Sequence, residues 1–456
     1  MGLKRKRSLT TTQIIMFGFL GTIIVGTLLL VLPLSSADGE TTELVDALFT
    51  STTSVCVTGL VVVPTWSHWS MFGQAVIMLL IQVGGLGVIT FTTLVLMVMG
   101  RRITLKERLL IQDAYNIDSI RGVVRLTLRI VKGVLRIEFV GAVLYAIVFI
   151  PRYGICDGIW KSIFNSVSAF CNAGMDIIGD TSMQPFQGNV IINFTTMTLI
   201  ILGGLGFPIW WNIVDVLKQR KKRYDSWRTA AHYFTLQTKI VLSVTAFLIL
   251  GGALLIFVFE YNNPETFGNL NLWEKIMASL FQSVTTRTAG FFTIPQEGLQ
   301  NATALICIIL MFIGGSPSGT AGGVKTTTLG IILLAVFSIV RGHKDTEAFG
   351  RKISTSLVKK AMAVVALSLT VTFISIIILT VVQEGDFLDL LYECISAIGT
   401  VGLSRALTPD LNVFGKIVII VTMYAGRVGP ISLALFFNSK KYINVRSFPT
   451  EKISVG

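Results

Sequence analysis

Charge is scarce in this sequence. Of 456 residues only 14% are Asp, Glu, Lys or Arg, while 52% are hydrophobic, and the mean hydropathy is +0.72. Soluble globular chains carry about 25% charged residues, so an ordinary soluble protein is excluded and a lipid bilayer is implied. Histidine is nearly absent, at three residues, which makes a histidine metal centre a poor reading. The five cysteines, at 56, 156, 171, 307 and 394, are odd in number and lack paired spacing, so nothing points to a disulfide framework or a zinc site. No nucleophile–base set is visible. There is no P-loop and no G-x-G-x-x-G followed by an acidic strand end, so no nucleotide or other organic cofactor is assigned to this chain. An enzyme is the weakest of the readings.

What is present instead is apolar length. A spanning helix needs about 20 apolar residues. Such stretches lie near 12–34, 72–99, 130–150, 188–215, 236–259, 302–313 with 327–340, 361–382 and 413–437. They predict eight spans, one of them interrupted. The first follows the basic run KRKR at 4–7 but exceeds the roughly 7–15-residue core of a signal peptide, and is read as a span. The net charge of +13 raises nucleic acid as a partner, but its placement argues for orientation instead. Lys and Arg crowd into 4–7, 101–108, 218–228, 341–352 and 440–441, and the intervening loops 35–46, 262–274 and 383–393 are acidic. The positive-inside rule then puts the basic loops and both termini in the cytoplasm. The acidic loops are external, where they mildly enrich cations.

Those external regions share a turn: VCVTGLV (55–61), AFCNAGM (169–175), TTRTAGF (285–291) and AIGTVGL (397–403). Gly59, Gly174, Gly290 and Gly402 recur at near-constant spacing, which means four copies of one unit. In each unit an apolar span leads to an external loop, a short segment (45–55, 160–169, 274–284 or 389–398), the Gly turn and a second span. The short segments cannot cross a bilayer and begin and end on one side. Re-entrant helices fit, because irregular backbone at membrane depth must lie inside protein or along a water-filled path. Around a common axis, glycine would let consecutive carbonyls point inward as a ring that replaces a cation's hydration shell. Beside the glycines stand Val57 and Thr58, Asn172 and Ala173, Thr288 and Ala289, Thr400 and Val401. None is a carboxylate, which favours a weakly held monovalent ion over a divalent one. Arg287 just before the third turn would oppose conduction if it faced the axis, so it is expected to point away and pair with an acidic neighbour.

A second glycine site follows each turn: VGGLG (83–87), LGGLG (202–206), IGGSPSGTAGGVKTTT (313–328) and YAGRVGP (424–430). The two GGLG copies are read as close-packing sites. The third copy cannot propagate a helix, and its hydroxyls and bare amides belong inside protein. Gly314, Gly315, Ser316, Pro317, Ser318, Gly319, Thr320, Ala321, Gly322 and Gly323 therefore form a gate candidate below the turns. Lys325 and Arg427 are intramembrane cations that face the interior as a barrier or else snorkel to the cytoplasmic interface.

Four units of span, pore helix, Gly turn and span, with VTGL, NAGM, TAGF and TVGL, resemble the Trk/Ktr/HKT superfamily of potassium transporters over nearly the whole chain. The length and the GGSPSGTAGGVKTT stretch are most similar to the bacterial KtrB-type membrane subunit. The resemblance implies an all-α membrane protein with four repeats (1–100, 101–217, 218–342 and 343–456) around one pseudo-fourfold pore. It implies K+ uptake across the bacterial plasma membrane, with K+ preferred over Na+ because all four glycines are present. It implies gating by 314–325 near Arg427. It also implies a homodimer on a cytosolic KtrA-type ring that binds ATP and ADP, with Na+ dependence left open. Two rivals stand beside it. One is a Na+ or non-selective monovalent cation transporter of the same superfamily. The other is a secondary transporter with a midplane site, for which Glu138, pairing with Arg136 or a neighbour, is the one carboxylate that stands out in a span.

Overall fold

The computed structural model describes residues 10–99, 101, 103–115, 122–223, 232–429 and 432. The basic runs 4–7 and 440–441, residues 224–231, and the orientation of both termini lie outside them. Each repeat begins with a long apolar helix: α1 (Thr11–Leu30), α6 (Val123–Tyr153), α10 (Leu236–Glu260) and α14 (Thr355–Val382). All four are long and apolar enough to cross a membrane. Each is followed by a pore helix: α2 (Leu44–Cys56), α7 (Ile155–Cys171), α11 (Leu272–Thr285) and α15 (Phe387–Gly399). These are short, as the sequence predicts, and their C-terminal halves are buried on all sides, as in Phe49–Cys56 and Tyr392–Gly399.

The inner helices begin just beyond the glycine turns. In three repeats a side chain caps them: Ser70 before α3 (Met71–Leu86), Asn189 before α8 (Val190–Leu205) and Asn412 before α16 (Val413–Val428). Such a cap satisfies a backbone N–H that the helix itself leaves unpaired. The third, α12 (Asn301–Phe312), has no side-chain cap. Every inner helix packs on the pore helix of the next repeat, α3 on α7, α8 on α11, α12 on α15 and α16 on α2. The fourth contact returns to the first repeat, so the four units close into a ring.

The inner helices correct the expectation of continuous spans. α3 and α4 (Val88–Val98) meet at 104°, and α8 and α9 (Phe207–Arg223) at 99°. The bends fall on the last glycine of each GGLG, where Gly87 and Gly206 take φ of 84° and 89°. Gly429 at the end of α16 has φ 89° and ψ 134°, the same conformation. This is backbone that L side chains avoid. The earlier glycines do pack closely: a Cβ on Gly84 would lie 2.1 Å from the Val55 carbonyl, and one on Gly203 2.0 Å from that of Phe170.

The connections between repeats are less regular. α5 (Leu105–Tyr115) joins the first two repeats, and α13 (Thr326–Val340) completes the third. A small antiparallel hairpin, β1 (Thr346–Ala348) and β2 (Arg351–Ile353), precedes α14. Its two turn residues, Phe349 and Gly350, both have positive φ, the geometry of a tight two-residue hairpin. Sequence reading saw only a charged loop there.

Candidate functional site

The four glycine turns converge on one axis. A Cβ added to Gly59 would lie 2.4 Å from the Ala173 carbonyl oxygen, and one on Gly174 2.5 Å from that of Ala289. On Gly290 it would lie 2.7 Å from the Val401 carbonyl, and on Gly402 2.2 Å from that of Thr58. Each turn thus abuts the next, and the fourth abuts the first. No side chain fits between neighbouring turns.

Their backbones share one conformation. Val57, Asn172, Thr288 and Thr400 are left-handed, with φ of 56°, 60°, 68° and 51°. The glycine two residues on is again positive, and Thr58, Ala173, Ala289 and Val401 between them are not. Alternating the sign of φ turns successive peptide planes so that their carbonyls face the same way. The intervening N–H groups are tied back to the pore helices. Thr58 N donates to Thr53 O (2.8 Å), Ala173 N to Ser168 O (2.8 Å), Ala289 N to Thr285 O (2.9 Å) and Val401 N to Ser396 O (2.8 Å). With the donors occupied behind the turns, the ring offers oxygen to the axis. The hydroxyls of Thr58, Thr288 and Thr400 are buried without a partner and add further oxygens. An assembly of this kind exchanges a cation's water shell for carbonyls.

One recurring brace was missed from sequence. Ser51 donates to Ile23 O (2.7 Å), Ser166 to Glu138 O (2.6 Å) and Ser283 to Ile249 O (2.8 Å). Each hydroxyl faces a glycine of the first helix, Gly26, Gly141 or Gly252, where a Cβ would come within 2.4–2.6 Å of it. Aligning the first two repeats on their filter glycines puts Ser51 level with Ser166 and Gly26 level with Gly141, but in the third repeat both partners are out of register, so the alignment exposes the pairing in only two repeats. The fourth repeat has Cys394 in that place.

Below the ring runs 313–325. Gly314 N bonds Val324 O (2.9 Å), which closes the loop at its base. Ser316 N and Thr320 N donate to Gly204 O and Gly203 O (2.8 and 3.1 Å), and Phe207 N to Ser318 O (3.1 Å). The bend at Gly206 strips α8 of its next helical donors, so its last carbonyls are available to this loop. Thr320 Oγ1 reaches Phe170 O at 3.2 Å. A Cβ on Gly322 would collide with Thr400 Oγ1, so the loop lies directly against the ring. Arg427 donates from Nη1 to Thr320 O and from Nη2 to Gly84 O, clamping the loop to the first repeat. Lys325 Nζ folds back onto Ala321 O (2.7 Å). Both cations therefore turn to loop carbonyls, and both line a cavity of about 200 Å³ with Ile15 and Phe19.

Above the ring lies a cavity of about 430 Å³ lined by the four glycines, with Asp176, Asp180 and Glu297 on its wall. Asp180 accepts from Trp66 Nε1 at 2.7 Å. Burial pushes the Asp176 carboxyl above the ordinary carboxylate range, against its hydrogen bonds and nearby Lys161.

Two pairings differ from expectation. Arg287 does point away from the axis, but it meets no carboxylate. Its Nη2 contacts Thr245 Oγ1 at 3.5 Å, because the neighbouring α8 and α10 present apolar and hydroxyl groups there. Glu138 does not pair with Arg136: Gln82 Nε2 donates to it at 3.3 Å and Cys171 Sγ lies 3.9 Å away.

The family model described as "TrkH: Cation transport protein" matches residues 6–444. The chain belongs to the TrkH family. It is 39% identical to Ktr system potassium uptake protein B of Bacillus subtilis (strain 168), over 98% of this chain and 97% of that protein. It is also 39% identical to the potassium/sodium uptake protein NtpJ of Enterococcus hirae, over 99% and 98%. Among solved structures, the potassium transporter TrkH from Vibrio parahaemolyticus superposes with a TM-score of 0.71 at 17% identity, covering 96% of this chain and 86% of that one. At that identity the likeness carries the fold. It agrees with this TrkH-family chain being an all-α, multi-pass membrane protein of four repeats.

Proposed function

We propose that this chain is the K+-conducting membrane subunit of an uptake system in a bacterial plasma membrane, with both termini cytoplasmic. The closed ring of carbonyls carries the reading. Its donors are backbone oxygens and hydroxyls, which suit a weakly held monovalent ion. The names of both relatives point to potassium. Residues 57–59, 172–174, 288–290 and 400–402 form the filter, within repeats 1–100, 101–217, 218–342 and 343–456. Residues 314–325 with Arg427 form the gate, held shut by hydrogen bonds from the loop to the second repeat and through Arg427 to Gly84 of the first. Control comes from a cytosolic ring that binds ATP and ADP, acting on a homodimer of this chain. The name of the Enterococcus relative favours a second reading, in which Na+ is carried or required as well.

The test is K+ uptake in cells lacking their own uptake systems, with and without a co-expressed cytosolic partner, at varied Na+. Restored K+ uptake supports the proposal. Properly inserted protein that restores none in either setting overturns it.

A further inference from the structure

Arg287 is a buried cation without an anion. It is only 7% exposed, and its Nε–H has no hydrogen-bond partner. Among the described residues, the ion pairs are Lys352–Asp345, Arg405–Asp389 and Lys416–Asp46, none of which involves it. A charge held this way in protein interior is costly unless something compensates it.

The side chain lines a small, mostly enclosed cavity of about 10 Å³ between α8, α10 and the end of α11. That is room for about one water-sized body. Its other lining side chains are Ile200, Ile201, Leu205, Ile249, Val284 and Thr245. Arg287 and Thr245 are the polar side chains in it, and both can donate. Two glycines complete the wall, Gly204 and Gly315, and their carbonyls already accept from Ser316 N and Thr326 N. The cavity therefore offers donors and a positive charge, with its carbonyl acceptors engaged, inside an apolar shell. A small anion fits that chemistry better than water, which also needs acceptors. A phosphate headgroup is too large.

We propose that Arg287 and Thr245 hold a single small anion, chloride in the cell, behind the third filter turn. The anion would neutralise a charge one residue from Thr288 and so ease cation entry. It would also sit against Gly204 and Gly315, where the loop docks on α8, and so tie filter and loop together.

The test is thermal unfolding of the purified full-length protein in lipid nanodiscs at constant K+, in chloride against gluconate. The expected result is a midpoint raised by a few degrees and saturating with chloride. Arg287→Met should abolish that difference while remaining at least as stable in gluconate, since an apolar residue of similar volume removes the unpaired charge. Thr245→Val, which keeps the charge, should weaken the chloride dependence. Bromide soaked into crystals should give anomalous density beside Arg287. Equal midpoints for the wild type in the two salts, a full chloride effect in Arg287→Met, or a water in place of bromide would each overturn the proposal.

Discussion

At each ring glycine an added Cβ would fall inside 3 Å of a carbonyl on the neighbouring repeat, and the positive φ adds strain of about 1 kcal/mol or more. Gly59→Ser, Gly174→Ser, Gly290→Ser and Gly402→Ser are each expected to cut K+ uptake or raise its KM about tenfold or more. Gly39→Ser is the control, since Gly39 also has positive φ but meets nothing within 4 Å. Uptake assays that left all four ring variants at the level of Gly39→Ser would remove the carbonyl ring from the mechanism. These glycines were legible in the sequence because their spacing repeats. The left-handed residue two places earlier was not. Val57 is β-branched at φ 56°, a conformation such residues avoid, and only the packed ring holds it there. Asp176 gives a pH expectation at the same scale. Its raised pKa means that it gains a proton at a higher pH than an exposed carboxyl would. Acid on the side of that cavity should therefore neutralise it sooner than an exposed carboxyl and lower cation supply to the ring. Uptake measured from about pH 7 down to about pH 5 should fall more in the wild type than in Asp176→Asn. Equal falls would exclude Asp176 as the group responsible.

The element that invites mutation is the 313–325 loop. Composition alone marked it as non-helical, because Gly and Pro dominate it. Its docking was not legible, since that depends on carbonyls freed by a bend in another repeat. GGLG reads as a packing motif, and nothing in one sequence separates the packing glycines from the bending one. Deleting 316–321 is expected to raise K+ flux through protein in partner-free liposomes. Arg427→Gln should act in the same direction but less strongly, because it removes only the clamp to Thr320 and Gly84. The two bends also separate. Gly206→Ala would place a Cβ 2.5 Å from the Pro317 carbonyl, whereas Gly87→Ala meets nothing within 4 Å at a similar φ. Gly206→Ala should therefore raise flux well beyond Gly87→Ala. Identical flux in the two would mean that the loop does not depend on its seat against α8.

For the whole molecule, the spacing of the glycine turns carries the four-repeat architecture, while the alternating charge speaks only to orientation. Four short apolar segments between longer ones leave few alternatives once each must begin and end on one face of the membrane. The hairpin at Thr346–Ile353 and α5 were not legible, because their charged and mixed patterns carry no clear period. Topology is open to direct measurement. Single cysteines at 40, 265 and 386 should be labelled by an impermeant reagent from outside, and those at 104, 222 and 345 only after the membrane is opened. A reversed result at any one position would break the parallel arrangement of the repeats.

The closure of the fourth turn onto the first bears on how the chain is made. Synthesis runs from N- to C-terminus, so the loop at 313–325 emerges before the wall that contains Gly402. The proposed gate is therefore translated before the ring it lies against is complete, and Arg427, which hydrogen-bonds it, follows later. If 313–325 closes the pore as proposed, a nascent chain in the membrane is expected never to present an open, four-sided passage. Chains truncated near residue 385 are expected to insert without adding K+ leak, as read by dye-reported leakage from cells or vesicles. Chains that run full length but lack 316–321 should leak. The order of the repeats would then protect the cell that makes the protein, before any regulatory partner has arrived.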